Sequence, residues 1–214
     1  MDSDEPLLSF HADMVRLRRE CPWKREQTHR SLARYLQEEA AETLEAIDLG
    51  DPGHLCEELG DLLLQVYFHA VVAEEAGDFT LDDVARGIAD KMHRRNPHVF
   101  GVDGGASTMS SDEVNRRWNE IKATERGTGI EGHPDPTTGI APELSALLTA
   151  TKVLERRPET AEALPDPGDT EADLGARLLA LVAEAGAAGV DPEQALRDAL
   201  RLAAQTSDAR RPSV

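Results

Sequence analysis

Cysteine is nearly absent from this chain: Cys21 and Cys56 stand 35 residues apart and fit no Cys-x-x-Cys or Cys/His pattern. That argues against a disulfide framework or a zinc site and for a reduced, cytoplasmic protein. Aromatic residues are few, and all of them, from Phe10 to Trp118, fall in the first 118 residues. The rest is rich in Ala, Leu, Asp and Glu, so the well-specified core and the chemistry are expected in the first half. Positive charge is scarce too, 23 Lys and Arg against 41 Asp and Glu, for a formal charge of −18. Such a balance argues against a general nucleic-acid or anionic-membrane surface. No stretch approaches the roughly 20 apolar residues of a membrane span, and the start MDSDEPLLSF lacks the basic region of a signal peptide. Strand-like alternation is missing as well, which leaves an all-α fold.

What the chain does have is concentrated between Gln37 and Gln65. Leu32, Leu36, Ala40, Leu44 and Ile47 recur at helical spacing, and Leu55, Leu59, Leu62, Val66 and Ala70 do so again. Glu39 and Glu42 lie beside the first apolar stripe, Glu58 and Asp61 beside the second. Between them, Gly50 suits a helix C-cap, Asp51 an N-cap and Pro52 a first helical position. The spacing predicts an antiparallel helix hairpin whose turn brings the two pairs to one level. Like charges that close raise one another's pKa unless a cation intervenes, and all-oxygen ligation favours Mg²⁺, or Mn²⁺, over zinc. No Glu-x-x-His spacing accompanies the acids, which ranks iron low. One such pair alone would be read as a solvated helix face; two in register beside an apolar seam reverse that reading.

Elsewhere, Leu7 to Glu20 reads as a helix ended by Pro22, the segment CPWKREQTH as a loop, and Ser31 as the cap of the first acid-bearing helix. His69 reads as a core or helix-surface histidine, and Trp23 as packing more than lid. Thr80 with Asp83 forms a capping box for a third helix that ends in KMHRRNPHVFG. Its last turn gathers Lys91, His93, Arg94 and Arg95, which either answer the helix dipole or hold phosphate. A Gly/Ser-rich loop over 101–110 precedes a helix from Ser111 to Arg126 with Trp118 and Lys122 one turn apart. Further helices are expected over Pro142–Arg157, Ala172–Ala188 and Pro192–Ala204. The domain boundaries follow as 1–126, 127–157 and 158–214.

EEAAE, followed 16 residues after Glu42 by EELGD, resembles the signature of the MazG family of nucleoside triphosphate pyrophosphohydrolases. CPW and QTH before it, then LLLQVYFHA, DKMHRRNPHVF and RWNEIKATER after it, extend the resemblance from Leu7 to about Arg157. It implies an all-α protein, a homodimer built through helical bundles, and Mg²⁺-dependent hydrolysis of NTPs or dNTPs to monophosphate and pyrophosphate. It further implies Glu39, Glu42, Glu58 and Asp61 as metal ligands and Glu38 as a ligand or water-orienting base. Lys91 and Arg95 would contact substrate phosphates, Trp118 and Lys122 would form a second substrate-contacting pair, and Arg94 is a weaker candidate. Lys24 stands where the CPW loop often has Asp, so that acid's role is missing. Residues 173–200 resemble a decayed second copy, with Asp173 at the place of Glu58 and Ala176 at that of Asp61, and are expected to serve folding or dimerisation. Two other readings remain open: a non-catalytic helical dimerisation or regulatory module, and a phosphohydrolase for a modified nucleotide or an alarmone.

Overall fold

The computed structural model describes residues 5–101, 109–126, 137–162 and 171–209. These form helices only: α1 Pro6–Glu20, α2 Pro22–Glu26, α3 His29–Leu49, α4 Pro52–Ala76, α5 Leu81–Arg95, α6 Pro97–Phe100, α7 Ser111–Arg126, α8 Ala146–Arg156, α9 Glu159–Glu162, α10 Glu171–Ala187 and α11 Pro192–Ala209. Two compact units result, residues 1–121 and 122–214. The loop expected at 101–110 lies outside the described residues except at its ends, as do residues 127–136 and 163–170.

In the first unit α3 and α4 pack along each other across a two-residue connection. Gly50 takes φ +69°, the left-handed conformation that glycine adopts without steric penalty, and its N–H closes α3 on the Ala46 and Ile47 carbonyls. Asp51 then caps α4, its carboxylate accepting from the Gly53 N–H at 2.8 Å, with Pro52 in the first turn where no amide donor is needed. Met14 of α1, Leu32 of α3 and Tyr67, Phe68 and Val71 of α4 form the buried core, and Phe10 of α1 packs against it. The Thr80–Asp83 capping box opens α5, which packs on α4.

Two local readings of the sequence need correction. Ser31 does not cap α3; Thr28 does, with extended backbone and a hydroxyl that accepts from the Ser31 N–H, while the Ser31 hydroxyl accepts from the Thr28 N–H. The threonine lies outside the helical dihedrals, so its side chain is free to turn back on the first N–H groups. CPWKREQTH is also not simply a loop, because Pro22 starts the short α2. This segment is pinned by Arg18, a buried guanidinium that donates to the Lys24 and Gln27 carbonyls and, at 2.9 Å, to the Glu75 carboxylate.

His29, in the first turn of α3, stacks on His69 of α4 with Nδ1 atoms 2.7 Å apart, so one ring donates and the other accepts. Burial first, and then the charge of His29, hold the His69 imidazole below the usual histidine range. Trp23 is half-exposed and lies edge-on to Tyr35, with the Lys24 ammonium over the neighbouring Phe68 ring at 4.8 Å. It packs without being enclosed.

In the second unit Ser145 caps α8, accepting from the Leu148 N–H and donating to the Glu193 carboxylate of α11 at 2.6 Å. The helix therefore begins at Ala146, four residues later than the sequence suggests, because a side-chain cap outcompetes the Pro142 start. α10 and α11 both pack on α8. No helix among the described residues is long and apolar enough to cross a membrane.

Candidate metal centre

The packing of α3 on α4 brings Glu39, Glu58 and Asp61 together, with one carboxylate oxygen from each within 4.8 Å of the others. Glu39 lies four residues before Thr43 on α3, and the buried Thr43 hydroxyl donates to the Glu39 carbonyl at 2.7 Å while standing 3.4 Å from the Glu58 carbonyl. That side chain spaces the two acid-bearing turns. Glu58 is 9% exposed, and His54, one turn before it, places Nδ1 3.3 Å from its Oε1. Gln65, one turn after Asp61, donates from Nε2 to Glu39 Oε1 at 3.3 Å.

Burial raises the Glu39 pKa above the usual glutamate range, and the charges of Asp61 and Glu42 raise it further; the Gln65 hydrogen bond opposes them. A partly buried carboxylate facing two other acids is costly to ionise. The donor set is all oxygen, which suits a hard divalent cation. Glu42 lies beside Glu39 and acts on it, but it is exposed and stands outside the three-carboxylate group; Glu38 is exposed and outside it as well.

The basic and aromatic candidates assemble separately. Lys91, Arg94 and Arg95 lie in the last two turns of α5, where Lys91 and Arg95 are half-buried and Arg94 is exposed. The Arg95 guanidinium lies 5.3 Å from the centre of the Trp118 ring of α7, which joins two candidates that the sequence had kept in different segments. Lys122 follows one turn after Trp118 on the same helix, past the division between the two units.

Sequence reasoning passed over Thr43, His54 and Gln65. The first two leave almost no signal, since a Thr or His at helical spacing from an acid is common. Gln65 did leave one, as a single amide within the apolar run LLLQVYF.

The fold and the cluster together define an all-helical protein with a group of three acidic side chains whose oxygens could hold a cation. Residues 27–100 match the MazG nucleotide pyrophosphohydrolase domain. The chain is 42% identical over 203 residues to an uncharacterized 26.1 kDa protein of Streptomyces cacaoi, covering 92% of this chain and 78% of that one. It is 38% identical over 199 residues to the nucleoside triphosphate pyrophosphohydrolase/pyrophosphatase MazG of Thermotoga maritima, covering 85% and 75% respectively. To the nucleoside triphosphate pyrophosphohydrolase of Escherichia coli K12 it is 42% identical over 136 residues, 64% of this chain and 50% of the relative. The chain belongs to the MazG family of nucleotide pyrophosphohydrolases. It spans three quarters of the Thermotoga relative and half of the Escherichia coli one.

Proposed function

We propose that this protein hydrolyses nucleoside triphosphates, ribo- or deoxyribo-, to the monophosphate and pyrophosphate, with water attacking the α-phosphorus. The observation that carries this reading is the convergence of Glu39, Glu58 and Asp61 on one point in a chain of this family. These three, joined by Glu42, would hold Mg²⁺, with Mn²⁺ as a substitute. Bound there, the cation would neutralise phosphate charge and lower the pKa of the attacking water.

The chain's own residues carry the remaining work. Glu38, next to Glu39 in the chain, serves as a further ligand or as the base that orients water. Lys91 and Arg95 meet the charge on the leaving pyrophosphate, Arg94 adds to it, and Trp118 and Lys122 contact the nucleotide. Catalysis is then mostly positioning and electrostatics, with no covalent step on the protein. Relatives named nucleoside triphosphate pyrophosphohydrolases support the substrate class.

We further propose a homodimer that works without nucleic acid or membrane, in the cytoplasm. Leu36, Leu44 and Ile47 on α3, with Val84 and Ile88 on α5, are exposed at helical spacing in the first unit. A second copy would cover such stripes by helix packing.

The test is to incubate purified protein with canonical and damaged NTPs and dNTPs, with and without Mg²⁺, and to separate the products by ion exchange. Monophosphate and pyrophosphate in Mg²⁺ alone support the reading. Release of orthophosphate would move the cleaved bond, and no turnover by folded protein would favour the non-catalytic module.

A further inference from the structure

The most fully buried polar side chain at the cluster is not one of its acids. Gln65 is 3% exposed, less than Glu58, in the middle of α4. Its Nε2 donates to Glu39 Oε1, whereas its Oε1 is buried and meets no donor among the described residues. A buried carbonyl without a partner costs about 1–3 kcal/mol, so an apolar side chain of this length would fit the run LLLQVYF better than an amide does. Folding alone gives no reason for an amide here. The acids offer a reason, because an amide is the neutral group that can donate to a carboxylate without cancelling its charge toward a cation.

We infer that Gln65 is a positioning residue of the metal centre, fixing the rotamer of Glu39 and leaving its second oxygen for the cation. The side chain reaches from α4 to α3, 26 positions away in the chain, and ties together the two helices that supply the acids. The free Oε1 calls for a donor. No described residue supplies one, and a hydrated cation held by the neighbouring acids would bring it. This rests on the cation-site reading above.

The test uses the full chain and the metal ions alone. Gln65→Met keeps the length and removes both amide functions. Without metal, this variant is expected to melt at or above the wild-type temperature, since a buried unpaired group is gone. Outer-shell partners of metal ligands typically contribute 10–100-fold in affinity, so half of the Mg²⁺-induced rise in melting temperature should require at least about tenfold more Mg²⁺. Calorimetric titration with Mn²⁺ should show the same loss.

Should Gln65→Met fail to fold, Gln65→Asn keeps the polarity but withdraws the amide by one methylene, and the same loss is expected. In a Glu39→Gln background, Gln65→Met should change Mn²⁺ affinity by less than about twofold, as expected when one residue acts through the other. Wild-type metal dependence in Gln65→Met, or an undiminished effect in the Glu39→Gln background, would overturn the assignment. A wild-type protein that gains no stability from either metal would instead overturn the cation site itself.

Discussion

The first unit buries Phe68, Met14 and Leu32 almost completely, and Glu58, Gln65 and Thr43 are buried polar side chains of the same unit. In the second, Val153 and Val182 are the buried apolar side chains among the described residues, while Leu174, Leu178 and Leu181 stand half out of the surface on one helix. Both units are helical and both carry Asp and Glu in number. They differ in the helices that carry the acids: Glu39, Glu58 and Asp61 sit on two long helices packed on each other, which also supply Leu32, Tyr67, Phe68 and Val71 to the core. Asp173 lies on a helix of mostly small and aliphatic residues, with Ala176 three positions later. Packing of α3 on α4 brings Glu39, Glu58 and Asp61 together, and no such group of acids occurs among the described residues of the second unit.

The largest effects should come from the acids themselves. Asp61→Asn or Glu58→Gln should lower triphosphate hydrolysis about a thousandfold, equivalent to roughly 4 kcal/mol of transition-state stabilisation. Circular dichroism should show the helices intact. Asp173→Asn should change turnover by less than about twofold; a loss comparable to Asp61→Asn would break the contrast between the units.

Core truncation comes next. Phe68→Ala should cost about 3–5 kcal/mol in urea unfolding of the first unit, whereas the exposed Leu178→Ala should stay within about 0.5 kcal/mol. Equal losses would mean that a partner covers the second unit in solution.

Replacing Thr28 with Ala removes the hydroxyl that caps α3 and should cost about 1 kcal/mol, without moving the Mg²⁺ requirement. Ser31→Ala should cost less, since its hydroxyl completes the box while the cap itself remains.

The smallest effect is in the pH dependence, where two groups of the first unit oppose each other. The pKa of Glu39 is raised in the fold, so between its unfolded and folded values the native state binds more protons and stability falls as pH rises. Mg²⁺ should flatten that slope, and Glu39→Gln should remove it. The pKa of His69 is lowered, so stability is lost as pH falls through its unfolded value towards its folded one. His69→Phe should remove that acid-side loss, as read from melting temperatures between pH 5 and 7.5.

What the sequence determined by itself is the local structure around the site. Gly50, Asp51 and Pro52 stop one helix and start the next through bonds that reach no further than four residues, and Thr80 with Asp83 does the same for α5. The two acid pairs and the basic turn at Lys91–Arg95 were legible for the same reason, since a helical period places them. Where two local signals competed, as with Thr28 against Ser31 or Ser145 against Pro142, only backbone dihedrals decided. The tertiary structure alone decided that oxygens of Glu39, Glu58 and Asp61 come together, that Arg95 meets Trp118, and that Thr43 and Gln65 span the acid-bearing helices. Those contacts join residues 15 to 26 positions apart. Their geometry depends on how deeply each helix rotates into the core, a choice made by the shapes of Phe68, Met14 and Leu32 and not by the spacing of charges.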